Sequence, residues 1–273
     1  MSDTYTDPAL LQDVIAIARI AGAATLPYYR KEKRLAKQHK PDKTMVTQAD
    51  LIADEIVREH LFGLDYSVPT LTEETASHFS WKARQQWSAY WLVDPLDGTR
   101  GFVQGDSCYT VNIALIIDHR PVLGVIYAPV SDRIYYGTVN QGSFMIEVGR
   151  TVQRLKSVQL NWGHLRVTVG RFDDIEPNLS QLRKSGIIDL HPVNSSYKIC
   201  TIAKGEQDIY PKFTETSEWD TAAGQVILEE AGGVLVDVLG QPLTYNRKDS
   251  LINPSFLALG DTSQLGKVLN LVF

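Results

Sequence analysis

Between Trp91 and Val139 the chain is a series of short apolar runs, WLVDP, TVNIALIID, VLGVIYAP and RIYYGTV, the later ones parted by HRP and by Ser131 with Asp132. Runs this short, rich in β-branched and aromatic residues and broken by turn formers, predict an antiparallel meander. A meander must bury at least one face, and two predicted helices ahead of it supply the cover. In the first, Leu10, Val14, Ile17 and Ala21 recur at helical spacing behind Asp7 and Pro8, an N-cap and a first-turn proline. In the second, Thr47 and Asp50 have capping-box spacing, and Ile52, Ile56, Val57 and Leu61 carry the apolar stripe onward. Between them, RKEKRLAKQHKPDK (Arg30 to Lys43) concentrates like charge around a proline and reads as a solvated loop, either a mobile flap or plain surface.

After about Asn161 the pattern is mixed. Strands are expected at RVTVG and DIYPKF, and helices near Glu176 to Lys184, Ser196 to Ala203 and Thr221 to Ala231, the last stopped by Gly232 and Gly233. GGVLVDVLGQPLTY reads as a hairpin turned at Gly240, FLALG as a final strand and SQLGKVLNLV as a closing helix.

With 273 residues, 44% of them apolar, the chain can bury a large core, and one compact body of two lobes is expected. The net charge of -5 disfavours a nucleic-acid partner, because tracking a phosphate backbone needs a basic face. Cys108 and Cys200 are far apart and form no CxxC, so two free thiols are expected rather than a disulfide framework or a zinc site. MSDTYTDPAL lacks a basic region followed by an apolar run, and no later stretch approaches the ~20 apolar residues of a membrane span. An intracellular soluble protein with no transmembrane segment is the expectation.

The chemistry is concentrated in WLVDPLDGTRGF, residues 91 to 102, a buried-type strand ending in two aspartates. Pro95 is expected to bend the chain outward, so that Asp94 and Asp97 reach one pocket from opposite sides of a tight turn and attract hard divalent cations. Gly98 lets the backbone approach a ligand, and a helix starting here would aim the amides of Gly98 and Thr99 at an anion. DPLDGT is equally the composition of an ordinary solvated turn. Glu73 and Glu74, in PTLTEET, are by themselves surface charge. Asp220, in EWDTAAGQVILEEAGG, starts a helix with a small face of Ala222, Ala223 and Gly224, and Ser217 stands at capping-box spacing from it. Taken singly, Asp50 and Asp220 read as helix caps. Taken together, acids in separate segments, each at a strand end or helix start, are what a multi-metal phosphoryl-transfer site requires. No GxxxxGK[ST] loop, HExxH pair or GxSxG elbow is present, and the six histidines lack ligand spacing.

VTQAD, TEE, LVDPLDGT and WDTAAG, in this order, resemble the inositol monophosphatase superfamily, which includes fructose-1,6-bisphosphatases and bisphosphate nucleotidases, and the likeness spans nearly the whole chain. TVNIALIIDHRPVLGVIYAPV, SSYKIC, IYPKF and SLINPSF resemble its bacterial 3'(2'),5'-bisphosphate nucleotidase branch. The resemblance implies an α+β fold, a layered α/β/α/β/α sandwich. Residues 1–160 would form an N-terminal lobe with the antiparallel sheet and most metal ligands. Residues 161–273 would form a C-terminal lobe bringing Asp220 and the nucleotide contacts. It implies magnesium-dependent hydrolysis of adenosine 3',5'-bisphosphate to AMP and phosphate, linked to sulfate assimilation. An inositol or other sugar phosphatase with the same metal site is the alternative.

Carried onto this sequence, the resemblance has Glu73, Asp94 and the Leu96 carbonyl hold a first magnesium and Asp94, Asp97 and Asp220 a second, in a site of two or three ions. Glu73, Asp50 and Thr99 would be catalytic, with Thr99 and Asp50 orienting the attacking water. The amides of Gly98 and Thr99 would hold the phosphate, and Lys198 the nucleotide's second phosphate. Glu73, Leu96, Asp97 and Asp220 would also face the substrate. Lithium inhibition and a cytoplasmic location, peripheral at the inner membrane, are further implications. Five positions depart from the branch's pattern: Arg100 and Gly101 for lysine and glutamate, Asn194 for glycine, and Thr214 with Glu215 for glycine and proline. Of these, Arg100 and Asn194 would border the nucleotide.

Overall fold

A computed structural model describes residues 7–29, 38–39, 45–64, 68–147, 149–173, 179–186 and 188–273. Helix α1 (Pro8–Thr25) starts where Asp7 accepts a hydrogen bond from the Ala9 amide at 2.8 Å. Two short antiparallel strands, β1 (Gln38–His39) and β2 (Met45–Val46), follow; most of the basic stretch at 30–43 lies outside the described residues. Helix α2 (Gln48–Phe62) opens with the expected capping box of Thr47 and Asp50.

Seven strands form the larger sheet in simple chain order: β3 (Thr70–Thr72), β4 (Ala89–Asp97), β5 (Thr110–Ile117), β6 (Arg120–Ala128), β7 (Arg133–Thr138), β8 (Gly142–Glu147) and β9 (Gln153–Arg154). All neighbours are antiparallel except β3 and β4, so the predicted meander is present and longer than its four apolar runs. Asp118 and His119, both with positive φ, make the tight turn between β5 and β6. Between β3 and β5 the chain forms α3 (Trp81–Arg84) and α4 (Thr99–Gln104).

The second sheet contains β10 (Leu165–Gly170), β11 (Ile188–Val193), β12 (Ile209–Lys212), β13 (Val234–Asp237) and β14 (Phe256–Leu259), in spatial order β11-β10-β12-β14-β13. Its helices are α5 (Ser180–Ser185), α6 (Tyr197–Ala203), α7 (Ala222–Glu230) and α8 (Leu265–Val272). Strand β11 has no counterpart in the sequence reading, because IDLHPV is half-exposed and carries a proline. The hairpin expected at Gly240 reduces to a turn, with the Asp237 amide on the Gln241 carbonyl at 2.8 Å and one bridge from Val236 to Pro242. Pro242 has no N–H to extend a ladder, and β13 pairs with β14 instead.

Alternation along the strands sorts the core into layers. Trp91, Val93, Ile113 and Val125 pack under α1 and α2, whereas Tyr90, Leu92, Ala114 and Ile126 face α6 and α7. The second sheet gives Tyr210, Leu235 and Ala258 to that middle layer, and Val167, Leu257 and Leu259 to α5 and α8. The stack is therefore α/β/α/β/α, as expected. The small face of α7 makes the middle layer thin: a Cβ on Gly124 of β6 would lie 2.5 Å from the Ala223 carbonyl.

Helix α1 has the length and apolarity of a membrane span, with a mean hydropathy of 1.2 over 18 residues. Leu10, Val14, Ile17, Ala18 and Ala21 are buried against α2 and the sheet, so it is a core helix of this fold. A peripheral seat at the membrane has no structural counterpart among the described residues. Cys108 and Cys200 are free thiols.

Candidate active site

Strand β4 does not stop at Asp94. It continues to Asp97, and its register with β5 shifts in between: Asp94 pairs with Asn112 and Asp97 with Thr110. Three steps on β4 oppose two on β5, which is a bulge of one residue. In a regular strand, residues three apart face opposite sides of the sheet; one extra residue restores the parity and lets both aspartates face one site. The expected tight turn is thus a bulge, and Pro95 is tolerated there because a bulged residue needs no ladder N–H. Asp94 Oδ1 accepts the Leu96 amide at 3.0 Å.

Asp220 arrives on a 3₁₀ turn, Glu218–Asp220, where the Ser217 amide donates to Asp220 Oδ2 at 2.8 Å. Asp94, Asp97 and Asp220 each offer a carboxylate oxygen, all within 4.8 Å of one another. Glu73 follows β3 with its amide on the Val93 carbonyl at 3.1 Å, outside this trio but near enough that its charge raises the carboxyls of Asp50, Asp94 and Asp220. Burial first, then the neighbouring negative charges, pushes Asp94 and Asp220 well above the usual carboxylate range. Asp94 Oδ2 is buried with no hydrogen-bond partner. An orphaned oxygen among crowded carboxylates fits a hard divalent cation, which would supply the missing partner and offset the repulsion.

Gly98 caps α4 at φ 90°, and a Cβ there would come 3.3 Å from Ser195 Cβ. Thr99 begins α4; its hydroxyl donates to Asp50 Oδ1 at 3.0 Å and lies 3.3 Å from the Leu96 carbonyl. Asp50 Oδ2 meanwhile accepts the Thr47 amide at 2.9 Å, so the cap and the Thr99 contact use different oxygens of one carboxylate. Burial is the main cause that pushes Asp50 up to about 7.

Several residues of the site were not singled out by sequence. The Ser196 amide donates to Asp97 Oδ2 at 2.6 Å, and Asn112 Nδ2 reaches the same oxygen at 3.2 Å. The Ser196 hydroxyl lies between Asp97 Oδ2 at 2.5 Å and the Asp220 carbonyl at 2.6 Å, a bridge between the two acids. Asn253, from SLINPSF, donates to the Ser217 carbonyl at 2.6 Å and to Thr221 Oγ1 at 3.0 Å, holding the turn that bears Asp220. The only sequence signal for these was that TVNIALIID, SSYKIC and SLINPSF are part of the resemblance.

Lys198 is buried: Nζ donates to the Ser195 carbonyl at 2.7 Å and lies 5.1 Å from the centre of the Tyr210 ring. Burial pulls it down to about 8. It lines a cavity of about 150 Å³ with Asp97, Ser196, Tyr210, Lys212 and Asp220. Two departures from the pattern prove to be coupled. A Cβ on Gly101 would lie 2.2 Å from Asn194 Nδ2, and that amide donates to Asp106 Oδ2 at 2.5 Å. Arg100 lies over the Phe172 ring at 4.1 Å.

A family model described as the Inositol monophosphatase family matches residues 8–267. The chain belongs to this family. Among its curated relatives, the 3'(2'),5'-bisphosphate nucleotidase CysQ of Aggregatibacter actinomycetemcomitans is 38% identical over 250 residues, 91% of each chain. CysQ of Escherichia coli K12 is 36% identical over 248 residues, 90% of this chain and 98% of that one. The crystal structure of CysQ from Bacteroides thetaiotaomicron, a bacterial member of the inositol monophosphatase family, superposes with a TM-score of 0.77 at 31% identity, covering 92% of this chain and 97% of that one. A Thermotoga maritima IMPase shares the fold, with a TM-score of 0.78 at 20% identity over 97% of this chain and 96% of that one. Membership in the inositol monophosphatase family implies divalent-metal use, and Asp94, Asp97 and Asp220 form an acidic cluster that could hold such an ion.

Proposed function

We propose that the chain is a magnesium-dependent phosphomonoesterase that hydrolyses adenosine 3',5'-bisphosphate to AMP and phosphate, serving sulfate assimilation in the cytoplasm. The observation that carries the reading is the convergence of Asp94, Asp97 and Asp220, with the Thr99–Asp50 contact alongside, two of the three acids, Asp97 and Asp220, also lining a cavity that holds Lys198 and Lys212. The likeness to nucleotidases named CysQ over 90% or more of the chain supports the substrate. The lobe division near residue 160 belongs to the same reading, with Asp220 coming from the second lobe.

Glu73, Asp94 and the Leu96 carbonyl would hold one magnesium and Asp94, Asp97 and Asp220 another, in a site of two or three ions. When bound, the ions lower the pKa of water and neutralise charge on the phosphate and the leaving oxygen. Thr99 donates its hydroxyl hydrogen bond to Asp50, so its oxygen would be free to accept a hydrogen bond from water and to aim that water's lone pair at phosphorus. The Gly98 and Thr99 amides, at the start of α4, would orient the scissile phosphate. Lys198 and Lys212 would take the phosphate that stays on the nucleotide.

The test is phosphate release by purified protein, with and without magnesium, from adenosine 3',5'-bisphosphate, inositol 1-phosphate and sugar phosphates. Preference for the bisphosphate, absent with EDTA and sensitive to lithium, is the expected result. Faster release from inositol 1-phosphate would replace this substrate with the sugar class.

A further inference from the structure

Of the two lysines in the cavity, only Lys212 is already engaged by a carboxylate among the described residues. Its Nζ lies 2.6 Å from Asp173 Oδ2, with only 11% of the lysine side chain and 18% of the aspartate exposed. Lys198, by contrast, is held by the carbonyls of Ser195 and Val193, at 2.7 and 3.5 Å. The two ammonium groups are close enough that Lys212 disfavours charge on Lys198, so the pair attracts an anion. Asp97 and Asp220 line the same cavity.

The seat of Asp173 is built for its carboxylate. The Asp173 amide closes a turn onto the Gly170 carbonyl at 3.1 Å, and the side chain folds back over Gly170. A Cβ on residue 170 would lie 2.3 Å from Asp173 Oδ2, so any side chain there would evict the carboxylate from Lys212.

We infer that Asp173 tunes the affinity of this cavity for its ligand: its carboxylate holds the place on Lys212 that the substrate's retained phosphate must take. The inference rests on the bisphosphate reading above. A phosphate carries more charge and more acceptor oxygens than a carboxylate, so it can displace Asp173, whereas a ligand neutral at that position leaves the pair intact. The displaced carboxylate remains nearby and competes to return. It therefore weakens binding of the bisphosphate and equally of AMP, which keeps that phosphate, and so favours product release.

The test compares wild type, Asp173→Asn, Lys212→Met and the double variant, with magnesium, on adenosine 3',5'-bisphosphate and on 3'-AMP, which lacks the retained phosphate. Asp173→Asn is expected to lower both the KM for the bisphosphate and the inhibition constant of AMP about fivefold, the worth of one partly exposed ion pair. The KM for 3'-AMP should stay within about twofold, and in the Lys212→Met background the Asp173 change should have no effect. Equal shifts for both substrates, or a higher KM for the bisphosphate, would show that Asp173 merely holds Lys212 in place and overturn the inference. Matching thermal melts separate either outcome from misfolding. A wild type that ignores the bisphosphate and prefers inositol 1-phosphate sinks the functional reading itself, and this inference with it.

Discussion

The Thr99 hydroxyl and the Asp50 carboxylate meet at 3.0 Å across 49 positions of sequence, joining the first residue of α4 to the first turn of α2. Because Asp50 is anchored by its other oxygen to the Thr47 amide, the hydroxyl has a fixed acceptor.

Thr99→Ala should lower kcat by about 10²- to 10³-fold with KM changed by no more than about threefold, since in the proposed mechanism the hydroxyl would act on water rather than on nucleotide. Asp50 is the stronger acceptor when ionised, and its carboxyl is raised to about 7. The rate of the wild type should therefore climb with pH through the Asp50 transition, at a midpoint drawn below 7 by bound magnesium. A pH–kcat/KM profile checks this, and Asp50→Asn should remove that limb.

Asp94 and Asp220 are raised by burial and by each other's neighbours, so the metal-free native state binds more protons than the unfolded chain between their ordinary and raised values. Stability must then fall as pH rises through that window. Without metal, the melting temperature should be higher at about pH 5.5 than at pH 8, and added magnesium should raise it most at pH 8. Calorimetry with and without magnesium reads the sign directly.

Asp94→Asn removes one of the crowded charges. Its metal-free melting temperature at pH 7.5 should rise by about 3 °C, its magnesium-induced shift should shrink, and turnover should drop at least ~10³-fold. A variant that keeps wild-type turnover would remove Asp94 from the mechanism.

Gly98→Ala should cost about 1–2 kcal/mol, because φ is 90° and the new Cβ would lie 3.3 Å from Ser195 Cβ. Urea denaturation measures the loss, and activity should fall with it as α4 shifts.

Gly101 and Asn194 should be coupled. Gly101→Ala puts a methyl 2.2 Å from the Asn194 amide nitrogen, so it should destabilise the native background and be largely relieved by Asn194→Gly. A double-mutant cycle should give a coupling of about 1 kcal/mol or more.

Much of the fold was legible because its signals are local. Asp7 and the Thr47–Asp50 box mark helix starts, and the meander's strands are visible as apolar runs of strand length. The small residues of α7 announced a close approach, realised at Gly124. Half-polar strands such as β11 carry no such signal, and the partner of β13 depended on which edge the second sheet left open.

The sequence by itself determined which acids were available, that Asp50 and Asp220 could start helical turns, and that the meander had to rest on helices. Only the tertiary structure decided which of these acids meet. Spacing alone would send Asp94 and Asp97 to opposite faces of a sheet, and it took the pairing of β4 with β5 to create the bulge that turns both to one side. Asp220, Ser196, Lys198 and Lys212 reach the same cavity because two sheets close around α6 and α7. Caps and periodicity are properties of a few neighbouring residues; convergence is a property of the packed chain, where burial and mutual repulsion create the demand for a cation.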